Sequence, residues 1–122
     1  MKADRKNAGK ARLDLIALPS LEGAARVLEF GSGKYSDWNW AKGADWSVPI
    51  ASLLRHLSAM QMGELTDPES GELHADHILC NAIYLAHYAR FFPELNDLPN
   101  LQSHLTTTGE SHGKERTPPG RR

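Results

Sequence analysis

The sequence predicts a small all-α helical bundle. Three segments carry apolar residues at helical spacing, each bounded by capping or breaking residues, and no stretch alternates apolar and polar residues as a half-buried strand does. A length of 122 residues supports one domain with its own core. The first seven or so residues are polar and loose. The first helix is expected from Ser20 to Phe30, with Leu21, Ala24, Ala25, Val27 and Leu28 as its apolar face, opened by Pro19-Ser20 and closed by Gly31. The second runs from Ser47 to Met62: Ser47 is a candidate N-cap, Pro49 is tolerated in the first turn, and Gly63 stops it. Ile50, Leu53, Leu54 and Leu57 recur there at the 3.6-residue period. The third runs from Leu73 to Phe91 and ends before Pro93.

Between the first two helices lies FGSGKYSDWNWAKGADW, a long loop rich in Gly, Trp, Asn and Asp. Gly31-Ser32-Gly33-Lys34 has a superficial likeness to a phosphate loop, but the G-x-x-x-x-G-K-[ST] spacing and a preceding strand are both missing. Trp38, Trp40 and Trp46 have two readings: a hydrophobic plug that fastens the loop to the bundle, or, with Tyr35, a flat platform on which a nucleobase stacks. From Thr106 the chain has no large apolar residue, so burial cannot offset the entropy of ordering it. Residues 1–105 are therefore expected to form a single all-α domain, and 106–122 a disordered basic tail. Leu101, Leu105 and the Phe91-Phe92 pair need a partner surface, which predicts a homodimer or homotetramer whose subunits complete each bundle.

Composition narrows the function classes. At 40% hydrophobic and 24% charged residues, the chain has ordinary soluble composition. No apolar run approaches the roughly 20 residues of a membrane span, and no secretory pattern opens the sequence. Its one cysteine, Cys80, excludes an intramolecular disulfide framework. A cytoplasmic protein with no membrane partner is expected. Lys2, Arg5, Lys6, Lys10 and Arg12 against Asp4 make the first twelve residues basic, and the tail is basic as well. Residues 13–105 hold 5 basic and 12 acidic side chains. An acidic body repels nucleic-acid phosphate, so no specific nucleic acid is expected as a partner.

The third helix carries a polar stripe. At about 100° per residue, His74, His77, Asn81, Tyr84 and Tyr88 fall within about one quarter of the circumference. Ile78, Leu79, Ala82, Ile83, Leu85, Ala86 and Ala89 fill the other side. Such a stripe either faces solvent or lines a wet cleft. The short connection GELTDPESGE makes the second and third helices antiparallel neighbours, bringing Glu64 near His74, Met60 and Gly63 near His77, and His56 near Asn81. The connection adds Asp67 and Glu69. Imidazoles at i and i+3 beside carboxylates have metal-site chemistry that suits Mn, Fe or Zn, whereas carboxylate and water alone suit Mg.

GKARLDL (9–15), VLEFGSGKYSDWNW (27–40), LLRHLSAMQMGE (53–64) and DPESGELHADHILCNA (67–82) resemble the phage dATP/dGTP diphosphohydrolase family, which includes the MazZ proteins and is similar to the all-α MazG-type nucleotide pyrophosphohydrolases. The resemblance spans about residues 9–90. It implies hydrolysis of a purine deoxynucleoside triphosphate, dGTP or dATP, to the monophosphate and pyrophosphate with a divalent metal, Mg or Mn. In phages whose DNA carries 2-aminoadenine, it implies a role in nucleotide-pool remodelling. MazG-type enzymes hold metal with E-x-x-E and E-x-x-D on neighbouring helices. Glu69-x-x-Glu72 and Glu94-x-x-Asp97 have that spacing, but Pro68, Ser70 and Gly71 make the first a turn, and Pro93 and Pro99 bracket the second. Arg55-His56 and His74-x-x-His77 stand where helical carboxylates belong, so the ligand set differs, with Glu29 as a further carboxylate that can join it.

Within that expectation, Glu64, Asp67, His74 and His77 are the metal ligands, and Glu64, Glu69 and His77 the catalytic candidates. Lys10, Arg12, Lys34 and Arg55 are phosphate-binding candidates, since the acidic body needs cations to hold a triphosphate. Asn39 is assigned to the purine edge and Trp40 or Tyr35 to stacking. His56 and Asn81 orient ligands or contact the sugar. The competing class is a non-enzymatic phage metal-binding or protein-interaction module. A phosphohydrolase of the HD type is a weaker rival, because Asp76-His77 reverses the required order.

Overall fold

A computed structural model describes residues 1–6 and 8–105. The expected disorder of 106–122 lies outside the described residues. α1 spans Glu22–Lys34, α2 Ser47–Gln61 and α3 His74–Phe91, and residues 101–105 are also helical. Short 3-10 turns occupy Leu13–Leu15, Leu18–Leu21, Asn39–Lys42 and Pro93–Leu95. Among the described residues no strand forms, and one antiparallel bridge pairs Thr66 with Leu73 in the α2–α3 connection. The all-α bundle expected from the periodicities is therefore the observed fold. No helix of the described residues is long and apolar enough to cross a membrane.

α3 is the central element, with α1 and α2 both packed on it. Ala24 and Val27 of α1 meet Cys80 of α3 in a small core, covered by Leu28, Leu79, Ile83 and Tyr84. Gly23 lets the start of α1 approach α3 closely, since a Cβ there would lie 2.0 Å from Asp76 Oδ2. The Asp76 carboxylate thus sits beside the positive N-terminal end of α1, a favourable charge–dipole contact.

Two boundaries differ from the sequence expectation. α1 does not stop at Gly31 but continues through Gly31 and Gly33 to Lys34. Helical glycine costs roughly 1 kcal/mol relative to alanine, an amount that tertiary context overrides. Ser47 is also not the N-cap; it is the first helical residue. Its backbone N–H donates to Asp97 Oδ1 at 2.9 Å and its hydroxyl donates to Asp97 Oδ2. The start of α2 is therefore capped across the fold, by a carboxylate that follows α3.

The aromatic loop is fastened at two points. Trp46 Nε1 donates to Phe92 O at 3.1 Å, and the buried Tyr88 hydroxyl donates to Trp40 O. Trp40 stacks on Tyr84 with ring centroids 5.1 Å apart. Trp38 takes the left-handed region, φ 65°, and is exposed.

The Ser47 hydrogen bonds hold the Asp97 carboxyl below its ordinary value of 3.8. A depressed folded-state pKa contributes stability that is present above the unfolded value and lost as pH falls through the folded one. Asp97→Asn keeps an acceptor but no longer titrates. The variant should show a lower thermal midpoint at neutral pH and a shallower loss below about pH 4 than the wild type. Identical acid limbs in the two proteins would remove Asp97 as the cap.

Candidate active site

The polar stripe of α3 turns inward, towards α2. His74, His77 and Asn81 are only 3%, 9% and 8% exposed, while Ala82, Ala86 and Ala89 on the opposite side face solvent. His56 of α2 packs against both imidazoles. Its ring stacks on His77 with centroids 4.3 Å apart, and its Nδ1 lies 2.8 Å from His74 Nδ1. Two nitrogens at that separation share a proton, one donating and one accepting. His74 Nε2 meets Glu64 Oε1 at 2.8 Å. A carboxylate accepts, so His74 carries its hydrogen on Nε2, and in the neutral ring Nδ1 is the lone-pair atom facing His56.

The connection completes the cluster. Asp67 Oδ2 accepts from Ser70 N–H at 2.9 Å and from the Ser70 hydroxyl at 2.8 Å. Ser70 Oγ also accepts from Glu72 N–H at 3.2 Å and lies 2.7 Å from His77 Nε2. A hydroxyl has one proton. With that proton on Asp67, Ser70 takes a hydrogen from His77 Nε2, and His77 Nδ1 is left bare.

Burial pushes the His56 imidazole below its ordinary pKa, and the neighbouring His77 and His74 rings add to the effect. Burial also lowers His77, against the opposing pull of Asp67. For Asp67 burial acts upwards, but the two Ser70 hydrogen bonds and the nearby imidazoles hold the carboxyl below its ordinary value. Burial therefore favours the neutral forms of His56 and His77, and the Ser70 hydrogen bonds favour the ionised form of Asp67. One donor atom each from His56, Asp67 and His74 lie within 4.8 Å of one another. Once the proton shared by the two Nδ1 atoms is released, these nitrogens and the Asp67 carboxylate, with His74 backed by Glu64, are a donor set that fits a divalent cation.

A cleft of about 550 Å³ adjoins this cluster. α3 forms its floor through Asn81, Tyr84 and Tyr88, and α1 lines one side with Leu28, Gly31 and Ser32. α2 lines the other with Pro49, Ser52 and Arg55, and the aromatic loop closes the end with Tyr35, Asn39 and Trp40. Arg55 and His56 are consecutive on α2, and His77 stands one turn before Asn81 on α3, so the cleft opens next to the imidazoles.

Of the residues singled out from sequence, Glu64, Asp67, His56, His74 and His77 come together in the cluster, and Tyr35, Asn39, Trp40, Arg55 and Asn81 line the cleft. Glu69 points to neither: it pairs with Lys34, Nζ to Oε2 at 3.2 Å, on the surface. Lys10 and Arg12 lie exposed on the N-terminal segment, outside the cleft lining, with Arg12 paired to Asp14 at 2.8 Å. Glu29 is exposed on α1. The α2–α3 register differs from expectation by about one turn. Asn81 meets Ser52, at 3.2 Å, while His56 meets His74 and His77. Sequence reasoning missed Ser70, although Asp-x-x-Ser is a turn spacing in which the carboxylate accepts from the serine. It also missed Ser52, one turn before His56.

Titration with Mn(II) or Zn(II), followed by calorimetry, should reveal a saturable site that His74→Ala abolishes. Glu64→Gln should weaken it about 10–100-fold, the usual loss when a histidine ligand loses its supporting carboxylate. Equal affinity in the wild type and both variants would place the cation elsewhere.

A family model described as dATP/dGTP diphosphohydrolase, N-terminal, matches residues 1–98. No curated protein and no solved structure gives a match.

Proposed function

The chain belongs to the dATP/dGTP diphosphohydrolase family through its N-terminal domain, and from that membership we propose that it hydrolyses a purine deoxynucleoside triphosphate to the monophosphate and pyrophosphate. The carrying observation is the convergence of His56, His74 and Asp67 within 4.8 Å beside a cleft with an aromatic end and an arginine. The aromatic end suits a purine. Trp40 lies stacked on Tyr84, a flat surface of the kind bases stack on. Arg55 is exposed at the cleft lining and presents a guanidinium to phosphate oxygens.

His56, His74 and Asp67 would hold the divalent cation, and Glu64 would fix the His74 ring through Nε2. When bound, a cation lowers the pKa of an attacking water and offsets charge on departing pyrophosphate. The imidazole-rich donor set favours Mn over Mg. His77, with Nδ1 bare and Nε2 held by Ser70, is placed to accept a proton. The product, a purine deoxynucleoside monophosphate, serves phage nucleotide-pool remodelling.

The test is incubation with each dNTP and Mn(II) or Mg(II), with the products separated. Deoxynucleoside monophosphate and pyrophosphate from dATP or dGTP are expected, and His74→Ala should lower the rate at least about 10–100-fold. Release of diphosphate and phosphate, or no turnover from a protein that retains metal, overturns the reading; the latter marks a metal-binding module.

A second copy of the chain covers the exposed apolar side chains. Leu13, Leu15, Leu18, Leu54, Leu101 and Leu105 are all more than half exposed, an amount a soluble monomer rarely shows. Light scattering should give a mass two or four times 13.5 kDa; a monomer at micromolar concentration overturns the homodimer and homotetramer alike.

A further inference from the structure

Asn81 is a buried amide with one hydrogen-bonding atom left over. It is 8% exposed and lines the cleft. Its Nδ2 lies 2.9 Å from His77 O and 3.2 Å from Ser52 Oγ. A main-chain carbonyl only accepts, so the atom facing it has to be the amide nitrogen, and the orientation of the side chain is fixed. Both protons of that nitrogen are then engaged. Oδ1 has no protein partner among the described residues and borders the cleft, so it takes its donor from water or from a molecule that enters.

Position along α3 identifies the donor. With a rise of about 1.5 Å per residue, Asn81 stands about 6 Å beyond His77 and about 4.5 Å before Tyr84. His77 belongs to the cluster beside Arg55, which suits phosphates. Tyr84 carries the stacked Trp40, which suits the base. A nucleotide with phosphates and base at those two ends lays its sugar over Asn81. A 2′-deoxyribose joined to phosphate through its 5′ oxygen has one hydrogen-bond donor, the 3′ hydroxyl. We infer that Asn81 Oδ1 accepts a hydrogen bond from the 3′ hydroxyl of the substrate, with Ser52 and His77 O holding the amide in that orientation. The inference rests on the nucleotide reading of the cleft. It makes Asn81 the residue that distinguishes an intact deoxyribose from one lacking its 3′ oxygen.

The experiment measures kcat/KM for dGTP, 2′,3′-dideoxy-GTP and dITP with the wild type, Asn81→Ala and Ser52→Ala, after circular dichroism has verified helical content. The wild type should prefer dGTP over the dideoxy analogue roughly 10–100-fold, because the analogue leaves Oδ1 unpaired. In Asn81→Ala that ratio should fall to within about twofold of unity, while the ratio of dGTP to dITP stays as in the wild type. Ser52→Ala retains the acceptor but removes one anchor, and should lose part of the same ratio. A dideoxy ratio that survives Asn81→Ala overturns the inference. So does loss of the dITP ratio in its place, which would assign Asn81 to the 2-amino group of the base. Should Asn81→Ala fail to fold, an unchanged dideoxy ratio in Ser52→Ala overturns it. A wild type that hydrolyses dGTP but ignores the 3′ hydroxyl defeats this inference alone; one that hydrolyses neither dGTP nor dATP defeats the proposed function with it.

Discussion

Three imidazoles packed between α2 and α3, with little water left to solvate a charge, set the terms for the surrounding chain. Protonated together they repel; neutral, each ring needs one donor and one acceptor partner. The contacts meet that requirement in full for His74 and at one nitrogen each for His56 and His77. Glu64 takes the His74 Nε2 hydrogen, the two Nδ1 atoms of His56 and His74 face each other, and Ser70 takes the His77 Nε2 hydrogen while giving its own proton to Asp67. The connection between the helices is therefore wound by the same groups that satisfy the rings. Asp67 N–H donates to Glu72 O, Gly71 N–H to Asp67 O, and His74 N–H to Leu65 O. Remove His77, and Ser70 loses one of its partners, while the bonds among Asp67, Ser70, Gly71 and Glu72 remain.

The cleft follows from a second constraint. α1 and α2 pack on the same helix without making an extensive contact with each other, so a trough remains between them over α3. Gly31 keeps it open: a Cβ there would meet nothing within 4 Å, and it sits with Leu28, Ser32 and Tyr35 on the face of α1 that looks into the trough. The poor helix former is placed where a larger side chain would intrude on the cleft. The loop closes one end through Trp40, whose carbonyl is held by Tyr88 and whose ring is held by Tyr84. The plug reading holds for one of the three tryptophans, and the others take different positions. Trp46 fastens the loop, Trp40 lines the cleft, and Trp38 remains exposed.

Period and punctuation made α2 and α3 legible almost to the residue, because Gly63, with φ 93°, and Pro93 end or bracket them by local chemistry alone. Gly31 and Ser47 misled for the complementary reason. Their roles are settled by partners far along the chain, a cleft in one case and Asp97 in the other, and no local rule contains that information. The helical wheel grouped His74, His77, Asn81, Tyr84 and Tyr88 correctly but could not say which side of α3 is interior, since polar stripes ordinarily face water. The one-turn difference in register has a similar origin. Antiparallel pairing fixes direction, whereas the winding of residues 63–73 fixes where along α2 each histidine lands. Ser70 was hidden because a serine acquires chemistry only from its neighbours, and those neighbours are His77 on a helix and Asp67 in a turn.

α2 is the element on which the site and the rest of the fold compete. Its only buried residue is Pro49, yet it supplies Ser52, Arg55 and His56. Leu54 and Leu57 lie about half a turn away from Ser52, at 54% and 41% exposure. Within one chain, α2 meets α3 through polar contacts, the imidazole stacking and the Ser52–Asn81 bond, beside the partly buried Ile50, Leu53 and Met60, with the Asp97 cap at its start. Such polar contacts are worth little net unless water is kept from them. A surface that covers Leu54 and Leu57 would press α2 onto α3, and thereby set the separation of the histidines. Burial of the outer face of α2 would in that way be coupled to the order of the cluster, since both act on where α2 sits against α3.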